Sequence, residues 1–280
     1  MLIEFIVSDF IKRALTAVLF VIILLAGINL HPIGFIATFL GIALLATYEF
    51  YGLIKKANAS PQFVTGMIAV VVLFAAAILH CYCGKIILYQ LLLLLVFLTF
   101  IIELYRKKDN PFANIAYTIM GVVYVALPFA LLIYLVFLNG INHFSPDIVM
   151  GIFILIWVND TGAYLVGVNF GKHRLFERIS PKKSWEGSIG GGIATLLTAW
   201  GCAYFSQELS LILWISVGLI VAVVGGLGDL VESLFKRSIK VKDSGSMLPG
   251  HGGILDRFDA IFIVSPVVYV FLEIVKEFSK

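Results

Sequence analysis

The sequence predicts an all-α, polytopic integral membrane protein with about nine transmembrane helices and a cytoplasmic N-terminus. Three observations lead there. Of the 280 residues, 61% are hydrophobic and 13% charged, about half the charge of an ordinary soluble domain. Apolar runs of the roughly 20 residues that a spanning helix needs recur from end to end. The polar–apolar alternation of a transmembrane barrel does not. No stretch holds enough polar residues to cover so many apolar helices in water, which excludes a soluble two-domain protein.

In chain order the spans fall at about 14–30, 33–54, 63–80, 86–104, 114–137, 147–168, 187–206, 210–228 and 258–275. No small-residue cleavage site follows the first run, so it is expected to be a retained span. Basic residues test the count, because those near spans stay cytoplasmic. Lys12 and Arg13, Lys55 and Lys56, then Arg106, Lys107 and Lys108 fall on one side. The same side takes Lys172, Arg174, Arg178, Lys182 and Lys183, then Lys236, Arg237, Lys240, Lys242 and Arg257. Only Lys85, Lys276 and Lys280 fall on the other, which places the C-terminus outside. A miscounted span would scramble this alternation.

Inner loops lengthen toward the C-terminus, at 169–186 and 229–257. Residues 1–137, about five helices, therefore read as a scaffold. Residues 138–280, about four helices with those two loops, read as the catalytic region. No internal repeat is visible, which speaks against inverted-repeat transporters. Cys81, Cys83 and Cys202 lack zinc-type spacing, and an odd number argues against a disulfide framework. Glu49 and Glu103 fall near the inner ends of the second and fourth spans. Snorkelling, or a pair with Lys55, Lys56 or Lys107, is the simpler reading of each, against a functional acid. The glycines of GSIGGG (187–192) and GGLGD (225–229) suit close helix packing. GSIGGG has no following Lys-Ser/Thr and is not a Walker loop.

Asp160 interrupts the sixth span within WVNDTGAY. A charge near the centre of a span costs about 2.5–3.5 kcal/mol on insertion scales. It needs a partner, a polar cavity or the inner interface. The loop that follows carries Lys182, Lys183 and Ser184 between Pro181 and Gly187, a tight setting that suits an anion site. Asp229 then closes the eighth span. An amphipathic helix continues from it, with Asp229, Glu232, Ser233 and Lys236 on one face. A loop punctuated by Ser-Gly and Pro-Gly follows, and ILDRFD opens the last span with Asp256 and Asp259 on one helical face.

These residue types suit phosphoryl or nucleotidyl transfer. Carboxylates hold Mg²⁺, which shares phosphate oxygens with the substrate. Lys and Arg neutralise the remaining phosphate charge, and His-Gly-Gly lets backbone N–H groups approach an anion. Two metals, or one divalent and one monovalent ion, can brace an in-line displacement. The rival from another class is a transporter whose acids coordinate translocated ions; a site at one face speaks against it.

The run S-L-F-K-R-x4-K-D-x-G-x2-L-P-x-H-G-G-I-x-D-R-F-D, from Ser233 to Asp259, resembles the signature of the phosphatidate cytidylyltransferase (CDP-diacylglycerol synthase) family. Upstream, NDTGAY and SPKKSWEG extend the resemblance, which covers the C-terminal half in detail and the first half in general form. It implies that CTP and phosphatidic acid give CDP-diacylglycerol and pyrophosphate, with Mg²⁺ required and room for a second ion such as K⁺. Asp229 and Asp256 would carry the metal. Lys236, Arg237 and Asp259 would join them in catalysis. Ser233, Lys242, Asp243, His251, Gly252, Gly253 and Arg257 would bind substrate together with Asp160, Lys182, Lys183 and Ser184. The implied partners are the lipid bilayer and a second copy in a homodimer, with no nucleic acid. A bacterial plasma membrane, with the site facing the cytoplasm, is the expected location. A CTP-dependent polyprenol or phytol kinase, or a synthase for an ether-linked lipid, is the nearest alternative.

Overall fold

The computed structural model describes residues 16, 18–245, 247 and 252–278. Lys12, Arg13, His251 and Lys280 lie outside them. Among the described residues seven helical segments are long and apolar enough to cross a membrane. They are α2 (Pro32–Lys56), α3 (Phe63–Cys83), α4 (Ile87–Arg106), Pro111–Val136, α7 (Asp147–Phe170), Leu211–Ser238 and Leu255–Phe278. A shorter apolar helix, α1 (Val18–Asn29), covers the described part of the first expected span. Helix α8 (Trp185–Phe205) has spanning length at 21 residues. Large apolar side chains point outward, among them Leu94, Leu104, Trp200 and Phe205, as they do on helices bathed in lipid.

Contacts divide the chain into two compact units, Met1–Ile133 with Ile239–Phe258, and Tyr134–Ser238 with Asp259–Lys280. In the first unit, α2 starts at Pro32, whose fixed φ suits a first helical position, and His31 caps it by accepting from the Ile33 N–H. Helix α3 ends at Gly84 in the left-handed region, at φ 64°. The fifth span is α5 (Pro111–Met120), a π-helical turn Gly121–Ala126, and α6 (Leu127–Val136). Tyr51 explains two of the unit's glycines. Its hydroxyl donates to the Thr118 carbonyl at 2.7 Å, and a Cβ on Gly66 or Gly121 would strike its ring.

Glu103 pairs with Arg106 at 2.8 Å, not with Lys107. The buried carboxylate also accepts from Gln62 and Asn114. Three donors thus satisfy one buried carboxylate, which would be costly left unpaired.

In the second unit α7 and α8 pack backbone to backbone. A Cβ on Gly187 would lie 2.7 Å from the Ala163 carbonyl, and one on Gly191 would lie 2.6 Å from that of Asn159. GSIGGG is thus a packing surface. Between the two helices, where the sequence reads as a loop, the chain forms a hairpin. Strand β1 (Arg174–Phe176) pairs antiparallel with β2 (Ser180–Ser184). The span after α8 comprises α9 (Leu211–Ile220), a π-helical turn Val221–Gly225, and α10 (Gly226–Ser238). Helix α10 carries the amphipathic stretch in unbroken continuation of its span.

Three chain segments expected on the outer side meet in this unit. His143 Nε2 lies 2.8 Å from Glu208, which also accepts from Asn139. Lys276 donates to the Leu138 carbonyl. The hairpin and Asp229 sit at the opposite ends of the same helices, as the charge alternation requires.

The last span starts differently from the sequence reading. Helix α11 (Leu255–Phe258) stops at a turn, Asp259–Ala260, before α12 (Ile261–Phe278) begins. Asp256 and Asp259 therefore do not share a face of one continuous helix.

Candidate active site

In the second unit a cavity of about 670 Å³ opens where α7, β2, α8 and α10 converge. Its volume falls within the range of small-molecule sites. Asp160, Lys182, Lys183, Ser184 and Asp229 all line it, so three regions far apart in sequence meet there. Tyr164, Arg174 and Ser180 line it too, and were not in the expected set. The hairpin brings Arg174 there, since it pairs with Ser184 across the two strands.

Each functional side chain has a local reason for its place. Ser184 is the N-cap of α8 and accepts from the Gly187 N–H at 3.2 Å. Lys183 reaches the opposite way, placing Nζ 2.6 Å from Asp229 Oδ2 and 2.9 Å from the Gly226 carbonyl. Asp160 is exposed to the cavity, with the charges of Lys183 and Asp229 near enough to act on it. This is the polar environment that an acid in a span needs.

Asp229 stands at the centre of a second cluster. Carboxylate oxygens of Asp229, Glu232 and Asp259 come within 4.8 Å of one another. Gly228 permits this, because a Cβ there would sit 2.8 Å from the Asp259 carbonyl. Ser233 donates to Asp229 Oδ1 at 3.3 Å, and Lys236 pairs with Glu232 at 3.2 Å. Glu232, 2% exposed, is the member that sequence reasoning left out of the site. The signal was available, since it shares the face of Asp229, Ser233 and Lys236. The donors are all hard oxygens, the set that Mg²⁺ prefers. Arg237 is exposed on the same helix.

The remaining expected residues lie in the first unit. Asp256 Oδ2 accepts from the Ser244 N–H at 3.1 Å, the Ser244 hydroxyl at 2.8 Å and the Gly253 N–H at 3.2 Å. Gly252 has φ 83°, a conformation that favours glycine. Lys242, Asp243 and Arg257 are exposed beside this loop. Glu49, read as a snorkelling or lysine-paired acid, is buried and accepts from the Ile254 N–H at 2.8 Å.

Comparison with known proteins decides the family. The profile described as the Cytidylyltransferase family matches residues 11–275. The chain belongs to this cytidylyltransferase family. It is 41% identical over 183 residues to the phosphatidate cytidylyltransferase of Staphylococcus aureus (strain COL), covering 64% of this chain and 68% of the relative. The homologous enzymes of Staphylococcus haemolyticus and Staphylococcus epidermidis are 40% and 38% identical over the same shares. Cytidylyltransferase chemistry requires a place for a triphosphate, and the cavity walled by Lys182, Lys183 and Arg174 is cationic on one side. The acids of α10 and Asp259 supply the opposite charge.

Proposed function

We infer that this protein transfers the cytidylyl group of CTP to phosphatidic acid, giving CDP-diacylglycerol and pyrophosphate. It is a nucleotidyltransferase of phospholipid biosynthesis, built as a multi-pass membrane protein. The observation that carries this reading is the Lys183–Asp229 pair at the wall of the cavity, one step from the Asp229–Glu232–Asp259 cluster. Cations for phosphates and acids for a metal thus adjoin in a chain otherwise poor in both.

The lipid phosphate oxygen attacks the α-phosphorus of CTP, the bond to the β-phosphate oxygen breaks, and pyrophosphate leaves. A phosphate monoester is already anionic at neutral pH, so a strong general base is not required. Alignment and charge neutralisation do most of the work. Lys183 is held by two acceptors, which fixes its ammonium at the cavity wall. Lys182 and Arg174 add positive charge beside it. Ser184 keeps the hairpin and α8 in register.

Mg²⁺ when bound would neutralise developing phosphate charge. Asp229, with Glu232 and Asp259, is the set this reading gives it. The family resemblance adds Asp256, and leaves a place for a second ion such as K⁺. The same resemblance supports a homodimer. The basic-residue alternation supports a site on the cytoplasmic side, and the bacterial relatives support a bacterial plasma membrane.

Purified protein in detergent with phosphatidic acid, Mg²⁺ and CTP labelled in the α-phosphate tests this. Label is expected in lipid. Label entering lipid only from γ-labelled CTP would indicate a kinase, and transfer from neither would overturn the enzyme reading.

A further inference from the structure

The loop that presents Asp256 is anchored from a distance of 205 residues in sequence. Helix α11 is a single turn, and each of the two N–H groups just before it meets a carboxylate. Asp256 itself accepts from Gly253 N–H, and Glu49 of α2 accepts from the N–H of Ile254. The loop presses onto Glu49 closely. A Cβ at Gly245 would lie 2.9 Å from the Glu49 carboxyl carbon, and one at Gly253 would collide with both Glu49 Oε1 and Ser244 Oγ. Ser244, 2% exposed, then donates twice to Asp256. Glu49 lies too far along this chain of contacts to touch a substrate through Asp256, yet it fixes the backbone on which Asp256 depends.

We propose that Glu49 is a positioning residue for Asp256: by holding the Ile254 N–H it sets the loop, and through Gly253 and Ser244 the orientation of the Asp256 carboxylate. The proposal rests on the reading that Asp256 serves cytidylyl transfer. The acceptor oxygen, not the charge, is what the anchoring uses. Glutamine at position 49 retains such an oxygen; alanine does not.

Wild type, Glu49→Ala and Glu49→Gln are compared in detergent by two measurements. One is the rate of trypsin cleavage after Lys240 and Lys242, which reports the loop without reference to activity. The other is CMP transfer, resolved into kcat and KM for CTP. In Glu49→Ala, loop cleavage should rise about tenfold. Its kcat should fall about tenfold to a hundredfold, the scale of a misplaced reacting group, with KM changed less than about threefold. Glu49→Gln should stay within about threefold of wild type in both. Wild-type behaviour of Glu49→Ala overturns the proposal. So does a Glu49→Gln variant whose loop stays protected while its turnover falls as far as in Glu49→Ala, because the charge would then be what acts. Should Glu49→Ala fail to fold, Ser244→Ala decides: an undiminished kcat there overturns the proposal. A wild-type chain that transfers no CMP defeats the functional reading alone, and trypsin still decides the anchoring.

Discussion

Replacing Lys183 by alanine separates the cost to the fold from the cost to the reaction. The ammonium has two partners, Asp229 Oδ2 at 2.6 Å and the Gly226 carbonyl at 2.9 Å. The two side chains are 25% and 37% exposed, so solvent screens the ion pair and its loss costs about 1 kcal/mol or less. The hydrogen bond to the carbonyl adds about 1 kcal/mol. A fold with 5–15 kcal/mol to spare, the range of about that size usual for native proteins, survives a loss of about 2 kcal/mol. Turnover is another matter. A preorganised donor aimed at transition-state charge contributes about 3–4 kcal/mol, on the order of a hundredfold to a thousandfold in rate. Lys183→Ala should therefore elute as a monodisperse peak in detergent, melt a few degrees early, and lose at least about a hundredfold in transfer of α-labelled CTP into lipid. Turnover within about threefold of wild type, with the fold intact, would refute the assignment of this cation to the phosphates.

Further outcomes follow from other sites. Asp256→Asn should lower turnover about a hundredfold or more while leaving the melting temperature nearly unchanged, and Lys56→Ala should leave turnover within about twofold and the melting temperature nearly unchanged. Gly191→Val drives a Cβ to 2.6 Å from the Asn159 carbonyl and should cost about 1–3 kcal/mol by overpacking, read as a lowered melting temperature. Burial acts to raise the pKa of Glu208, but hydrogen bonds from His143, Ser145 and Asn139 outweigh it and hold the pKa below the usual value. A depressed carboxylate contributes stability above its unfolded pKa and loses it as the pH falls through the folded one. Glu208→Gln should therefore be less stable than wild type near pH 7, by about 1 kcal/mol, and the gap should close below about pH 4.

Much of this was legible in the sequence because the membrane imposes strong local rules. Apolar runs and the sidedness of Lys and Arg placed the spans, and the cost of Asp160 in such a run marked it as a candidate site residue. What was hidden depends on contacts between distant segments. Glu49 looks like an interfacial acid until the backbone that it accepts from is seen. The hairpin Arg174–Ser184 escaped notice because its strands are only three and five residues long, too short for a period-2 pattern. Glu232 shares the face of Asp229, Ser233 and Lys236, but its approach to Asp259 depends on a contact across 27 residues of chain. The break at Asp259–Ala260 has no glycine or proline to announce it.

The wide turn at Val221–Gly225 acts as an indexing device for the helix beyond it. An α-helix advances about 100° per residue, and a π-type turn holds one residue more than a regular one. Its extra residue therefore offsets the angular phase of α10 by about 100° relative to α9. Removing one residue within 221–225 would let the turn close into regular helix with Asp229 still facing Lys183. Removing one from 226–228, with the wide turn kept, would swing the carboxylate about 100° away. The alignment of acid with base is thus tuned by helix phase, upstream of Asp229 and the other charged residues of α10.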